Sequence, residues 1–195
     1  MSTRQRVTTI TIMAACLILA ASIMGSARSA SRAEVAVKEV QKTRVERGAY
    51  LVTVGGCNDC HTPFKMGPKG PEPDMSRMLS GHPQSVVMPA PPAGKGPWIW
   101  SGGATNTAFA GPWGVSYARN LTPDQVTGIG VWSEEMFVNT IRSGKHWGVG
   151  RPILPPMPWA NYARMTDEDL KSVYAYLRTI KPIVNHVPAY QPVAE

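Results

Sequence analysis

The run Cys57-Asn58-Asp59-Cys60-His61, inside "GGCNDCHTP", constrains this chain more than any other feature. With three cysteines and four histidines in 195 residues, a C-x-x-C-H run arises by chance on the order of once in a thousand such sequences. The spacing therefore serves some chemistry, and it allows three: a redox dithiol, half of a zinc site, or the attachment point of a covalent prosthetic group. A structural zinc site takes four ligands, usually from a second Cys or His pair, and no such pair exists elsewhere in the chain. A thioredoxin-like dithiol sits at a helix start within a βαβ pattern, whereas the sequence around Cys57 is poor in strand-like alternation and rich in Gly and Pro.

Covalent haem accounts for every position of the motif. The two thiols add to the vinyl groups as thioethers, and the adjacent imidazole of His61 stands under the iron as proximal ligand. The motif occurs once and no internal repeat is present, so one haem c per chain is expected. The second axial ligand then separates electron transfer from chemistry. An open position binds oxygen or peroxide, whereas a thioether closes it and raises the reduction potential. Among ten methionines, "ILPPMPW" singles out Met157, because Pro155, Pro156 and Pro158 stiffen the loop on both sides of it. Met165, Met136 and Met88 follow in rank, and His146 is the best nitrogen alternative. His82 and His186 stand in loop-like sequence and read as surface residues.

The first 33 residues carry four of the 20 Lys and Arg and no acid, around the apolar stretch "VTTITIMAACLILAASIMG". This reads as an export signal, with "GSA" and "SRA" as alternative cleavage sites and a retained inner-membrane anchor as the alternative outcome. Cys16 within it reads as an inert leader cysteine. The body, residues 34–195, is then expected outside the cytoplasm, in the periplasm, touching the membrane only if the leader is kept. Without the leader, 16 basic residues face 13 acidic ones and the net charge falls from +7 to +3. No basic stripe remains of the kind that marks a nucleic-acid face.

Three helices are expected around the ligands. "TRVERGAYLVTVGG" has Val45, Ala49 and Val52 at helical spacing and ends in a Gly pair, placing the haem motif at its C-terminal end. A second starts at the N-cap Ser133 and stops at Gly144, burying Met136, Phe137 and Ile141. The last begins at "TDED", a capping-box-like start in which Asp169 stands in for the usual Glu, and buries Leu170, Val173, Tyr174 and Leu177. Between Lys65 and Gly114 nine Gly and nine Pro occur in 50 residues, which predicts one long irregular insertion. Trp98, Trp100 and Trp113 give it enough aromatic surface to pack, as a wrapped loop shielding the haem edge.

The segments "RGAYLVTVGGCNDCHTP", "YARNLTPDQVTGIGVWSEEMFVNTIRSGKH" and "PPMPWANYARMTDEDLKSVYAYLRTIKPI" resemble the c-type cytochromes, and more narrowly the periplasmic cytochrome c modules that accompany alcohol, aldehyde and sugar-acid dehydrogenases. The resemblance implies an all-α, cytochrome c-like fold whose N- and C-terminal helices cross, Cys57 and Cys60 as thioether sites, and His61 and Met157 as axial ligands. It also implies that Asn120, Trp132 and Trp159 line the pocket or contact the propionates. A protein of this kind is an electron carrier rather than an enzyme, working between a periplasmic dehydrogenase and a membrane respiratory acceptor. A haem enzyme or gas sensor with an open sixth position is the competing class. Two features depart from the family: the insertion puts Met157 96 positions after His61, and the dehydrogenase-associated subunits often carry three haem motifs where this chain has one.

Overall fold

The computed structural model describes residues 32–89 and 99–193. The leader expected over residues 1–33, Cys16 included, lies outside them apart from Arg32 and Ala33, as does Trp98. Among the described residues no helix is long and apolar enough to cross a membrane. The chain divides into two compact units, one ending at Thr43 and the other beginning at Arg44. In the first, residues 32–43 are helical and exposed throughout, with Lys38 paired to Glu34 at 2.7 Å, a solvated pair one helical turn apart.

Helix α1 covers residues 32–54, and in the second unit its buried positions are Gly48, Leu51 and Val52, while Val45 and Ala49 are half-buried and Tyr50 is exposed. The face is set by the meeting with α5 (Asp167–Leu177). A Cβ at Gly48 would overlap the Ser172 carbonyl and lie 2.8 Å from Tyr176 Cβ, so the two backbones approach as only glycine permits. The expected contact of first and last helices is thus present, and its closest backbone approach falls at Gly48.

Helix α3 (Glu134–Ser143) starts where Ser133 accepts the Met136 N–H at 3.0 Å and closes on Gly144 at φ 64°. It buries Phe137, Thr140 and Ile141, leaving Met136, expected inside, half-buried. In α5, Thr166 accepts the Asp169 N–H at 3.1 Å. The Asp169 carboxylate is drawn across to Arg47 Nε, 2.9 Å away on α1. Leu51, Val52, Phe137, Ile141, Leu170, Val173 and Leu177, with Leu79 and Ile129 from loops, form the main core, each large side chain contributing about 1.5–3 kcal/mol.

The all-α expectation does not hold. Among the described residues 39% are helical and 14% lie in strands, in two small antiparallel sheets, so the fold is mixed α/β. Strands β1 (Phe64–Gly67) and β2 (Gly70–Pro73) form one hairpin. Strands β3 (Ser101–Gly102), β4 (Ala108–Gly111) and β5 (Gly114–Tyr117) form the other sheet in the order β3-β4-β5. Six of the Gly and Pro that suggested irregularity form the two hairpin turns. "GPKG" pairs Gly67 with Gly70, "GPWG" pairs Gly111 with Gly114, and the second glycine of each takes positive φ, 118° and 95°. Pro opens each two-residue loop and Gly supplies the conformation that resets the strand. Trp113 lies in the second turn, and Trp100 packs edge-on against Phe109 at 5.8 Å.

The second sheet carries its own small core of Ala108, Val115 and Tyr117. The C-terminal tail returns across it, bridging Gln191 to Val115. Asn185, almost fully buried, donates to the Ser80 and His82 carbonyls at 2.7 and 2.9 Å and accepts the Gln84 N–H at 3.0 Å, tying tail to loop.

Candidate functional site

The Gly55-Gly56 pair ends α1 and, with Gly56 at φ 66°, turns the chain directly into α2 (Cys57–His61), so the motif stands at the helix end where the sequence placed it. The Tyr162 hydroxyl donates to the Gly55 carbonyl and holds this corner to α4 (Trp159–Tyr162). Cys57 and Cys60 are half-buried free thiols. Burial pushes Cys57 up to about 11 and raises Cys60 as well. A working dithiol requires the opposite, a thiol made acidic by its surroundings. Among the described residues no three His, Cys, Asp or Glu side chains gather as a metal-ion site, which gives a zinc reading no second ligand pair.

His61 is buried, and its Nδ1 lies 2.7 Å from the Arg119 carbonyl oxygen. A carbonyl only accepts, so Nδ1 carries the proton and Nε2 presents a lone pair. Burial holds the imidazole below its ordinary pKa against the pull of that carbonyl. The ring is thereby fixed in orientation and tautomer as a neutral imidazole, the support a metal-binding histidine usually has. Next to it, Thr62 donates to Asn58 at 2.8 Å and accepts the Leu79 N–H at 2.9 Å, locking the end of α2 to the following loop.

Cys57, Cys60, His61 and Met157 all line one cavity of about 340 Å³, within the size of small-molecule and cofactor sites. Core residues Leu51, Phe137, Ile141 and Leu170 wall one part of it, and residues 153–158, with the half-buried Met157, another. A planar, largely apolar group with two thiol-reactive substituents and a metal centre fits this donor set. The cavity offers apolar walls, two unpaired thiols, an unprotonated imidazole nitrogen and a thioether.

The remaining candidates divide. Asn120 lines the cavity, but its amide is engaged: Nδ2 donates to Thr127 Oγ1 (3.0 Å) and the Ile183 carbonyl (2.8 Å), and Oδ1 accepts from the Thr122 N–H and hydroxyl (3.0 and 2.7 Å). It ties the "NLTPD" loop to the tail. Trp132 lines the cavity with its ring edge-on to His146 at 5.5 Å. Trp159 is absent from the wall; its ring lies where a Cβ on Gly144 would fall, against the end of α3. Met165 and His146 line the cavity, whereas Met88 and Met136 do not. His186 is exposed as expected. His82 is not: it is fully buried, with Nδ1 on Thr107 Oγ1 and Nε2 on the Val86 carbonyl, both at 2.9 Å, because the loop around it folds under the second sheet.

Sequence reasoning missed two contributors from the strand-forming region. Arg119 supplies the carbonyl that orients His61, and Ser116 in β5 donates to the Pro155 carbonyl at 2.6 Å, two residues before Met157. The repeated "GPxG" was the available signal for the strands that carry them.

Comparison with known proteins points to cytochrome subunits of dehydrogenases. The chain matches no protein-family model. It is 29% identical over 174 residues to the fructose dehydrogenase cytochrome subunit of Gluconobacter japonicus, covering 89% of this chain and 28% of that one. It is 30% identical over 146 residues to the gluconate 2-dehydrogenase cytochrome c subunit of Pantoea cypripedii, covering 75% and 25%. A further match, 30% identical over 149 residues, is to the alcohol dehydrogenase (quinone) cytochrome c subunit of Gluconacetobacter polyoxogenes, covering 76% of this chain and 24% of that one. The chain thus spans about a quarter of the length of these cytochrome subunits, which by name are not the catalytic ones. Motif, cavity and relatives agree that this chain belongs to the c-type cytochromes, in the family linked to dehydrogenases.

Proposed function

We propose that this protein is a periplasmic electron-transfer cytochrome, with one haem c joined to Cys57 and Cys60 and held axially by His61 and Met157. The observation that carries the proposal is the convergence of those four residues, separated by up to 100 positions in the chain, on one apolar cavity. When bound, the haem supplies a one-electron couple whose potential the axial ligands and the dryness of the walls adjust. The protein's part is positional. Arg119 holds His61 neutral and oriented, the leucine and phenylalanine walls keep the site apolar, and the Met157 thioether would be the second residue to hold the iron and would favour its reduced state. A coordination set that stays the same in both redox states keeps reorganisation small.

The relatives' names support a dehydrogenase as electron donor; a membrane respiratory component is the acceptor this reading assigns. Absorption spectra of protein produced with the haem-attachment machinery, with and without carbon monoxide, test the reading. A c-type spectrum with the weak long-wavelength sulfur-to-iron band, unmoved by carbon monoxide, is expected. Met157→Ala should abolish that band and admit carbon monoxide. A spectrum that responds to carbon monoxide in the unaltered protein would mean an open iron, as in a haem enzyme or gas sensor.

His146 carries a second reading of the ligand set. It lines the same cavity, half-buried, with its ring nitrogens outside any hydrogen bond among the described residues. Bis-histidine ligation would lack the sulfur band from the outset and keep its spectrum in Met157→Ala.

A further inference from the structure

The loop that presents Met157 has little to hold it. Three of its residues are prolines without an N–H, and among the described residues the one hydrogen bond made to residues 154–157 comes from the Ser116 hydroxyl to the Pro155 carbonyl, at 2.6 Å. Its flanks are anchored independently, the Ile153 N–H on the Gly144 carbonyl at 2.8 Å and the Pro158 carbonyl under the Asn161 N–H at 3.0 Å. Four residues at the site wall thus rest on one tether.

Ser116 is built for that contact. It is 8% exposed and lies in β5, whose four residues are all buried. A hydroxyl has a single proton, and of its two acceptors the Pro155 carbonyl at 2.6 Å is much nearer than the Phe109 carbonyl at 3.3 Å. The Trp113 indole N–H, at 3.3 Å, approaches the same oxygen as a donor and turns the proton outward to Pro155. Three residues further on, Arg119 gives its carbonyl to His61 Nδ1 at 2.7 Å.

We propose that Ser116 is the positioning residue for Met157, and that the strand carrying it, continued to Arg119, is a shared frame setting both axial ligands against each other. The second sheet, whose strands β3 and β4 lie in the glycine- and proline-rich region and whose strand β5 begins at its end, then acts as a scaffold for the iron's coordination rather than as a cover. The inference rests on the His61/Met157 assignment above.

The test uses the full holoprotein with Ser116→Ala and the matched pair Ser116→Thr and Ser116→Val, which share a shape and differ in the hydroxyl. Two readouts would not move if Ser116 only stabilised the fold: the affinity of the ferric protein for added imidazole, which must displace the sixth ligand, and the temperature at which the sulfur-to-iron band disappears relative to global unfolding. Ser116→Ala and Ser116→Val should bind imidazole about tenfold more tightly than the unaltered protein and lose the band well before they unfold, as loss of one hydrogen bond implies. Ser116→Thr should stay close to the parent. Equal imidazole affinity in the Thr and Val variants overturns the proposal, and that comparison survives even where the alanine variant fails to fold. Met157→Ala separates this failure from failure of the ligand assignment. If it retains the sulfur band, the assignment falls; if it loses the band while the Thr and Val variants match, Ser116 alone is wrong.

Discussion

The helical part of this protein and its sheet-bearing part are held together by different means. The helices meet through large apolar side chains at periodic positions and at one point, Gly48, where backbone touches backbone. The strands β1 to β5 are short, and their small core needs turns, a returning tail and buried polar ties such as Asn185 to stay in place. One region is fixed by area, the other by individual hydrogen bonds, and the sites that orient the candidate ligands lie on the second.

If that contrast is right, the largest effect should come from the helix contact. Gly48→Val should cost more than about 3 kcal/mol, since the added carbons meet the α5 backbone and neither helix can yield without losing its core. Thermal unfolding would measure it, and a loss under about 1 kcal/mol would mean the helices slide freely. Leu170→Ala, emptying a side chain 2% exposed in α5, should cost about 2–5 kcal/mol by cavity formation, read by denaturant titration.

Asn185→Ala sharpens the other side of the comparison. It leaves the Ser80 and His82 carbonyls and the Gln84 N–H without their partner, at about 1–3 kcal/mol. Its signature should be faster hydrogen exchange around residues 80–84 and the second sheet with α3 and α5 still protected. Uniform loss of protection would merge the two regions into one cooperative unit.

The smallest effect concerns a surface tie of the helices. The Arg47 guanidinium, through its hydrogen bond to Asp169, holds that carboxyl below the usual carboxylate range. A depressed carboxyl stabilises the fold above its unfolded pKa of about 3.9, and that contribution is lost as pH falls through the lower folded value. Asp169→Asn should therefore be slightly less stable than the parent at pH 7, with the difference closing below about pH 4. A gap that persists in acid would point to a hydrogen bond independent of charge.

The same contrast explains what the sequence revealed. Ser133, Gly144, Thr166 and the apolar positions of α3 and α5 announce themselves because caps and the 3.6-residue period are local. Cys57, Cys60 and His61 were legible as candidates because C-x-x-C-H is a short, rare spacing that needs no tertiary context to be seen. The strands were not, since β4 and β5 are four residues long and three of those eight are Gly or Ser, too few to show a period of two. Arg119 acts through its carbonyl, which every residue possesses, so no side chain could advertise it. Trp159 was expected at the pocket from the resemblance alone, but its ring packs against Gly144 at the end of α3.

Gly114 has a larger responsibility than its missing side chain suggests. At φ 95°, with the Gln191 and Pro192 backbone occupying the place of any Cβ, it admits no other residue and no other alignment of the turn between β4 and β5. Side chains alternate across a strand, so a slip by one position would offer the isopropyl group of Val115 to Pro155 in place of a hydroxyl and carry the Arg119 carbonyl away from His61. The glycine works as an indexing pin: two candidate ligand positions almost a hundred residues apart are referred to the phase of a single tight turn.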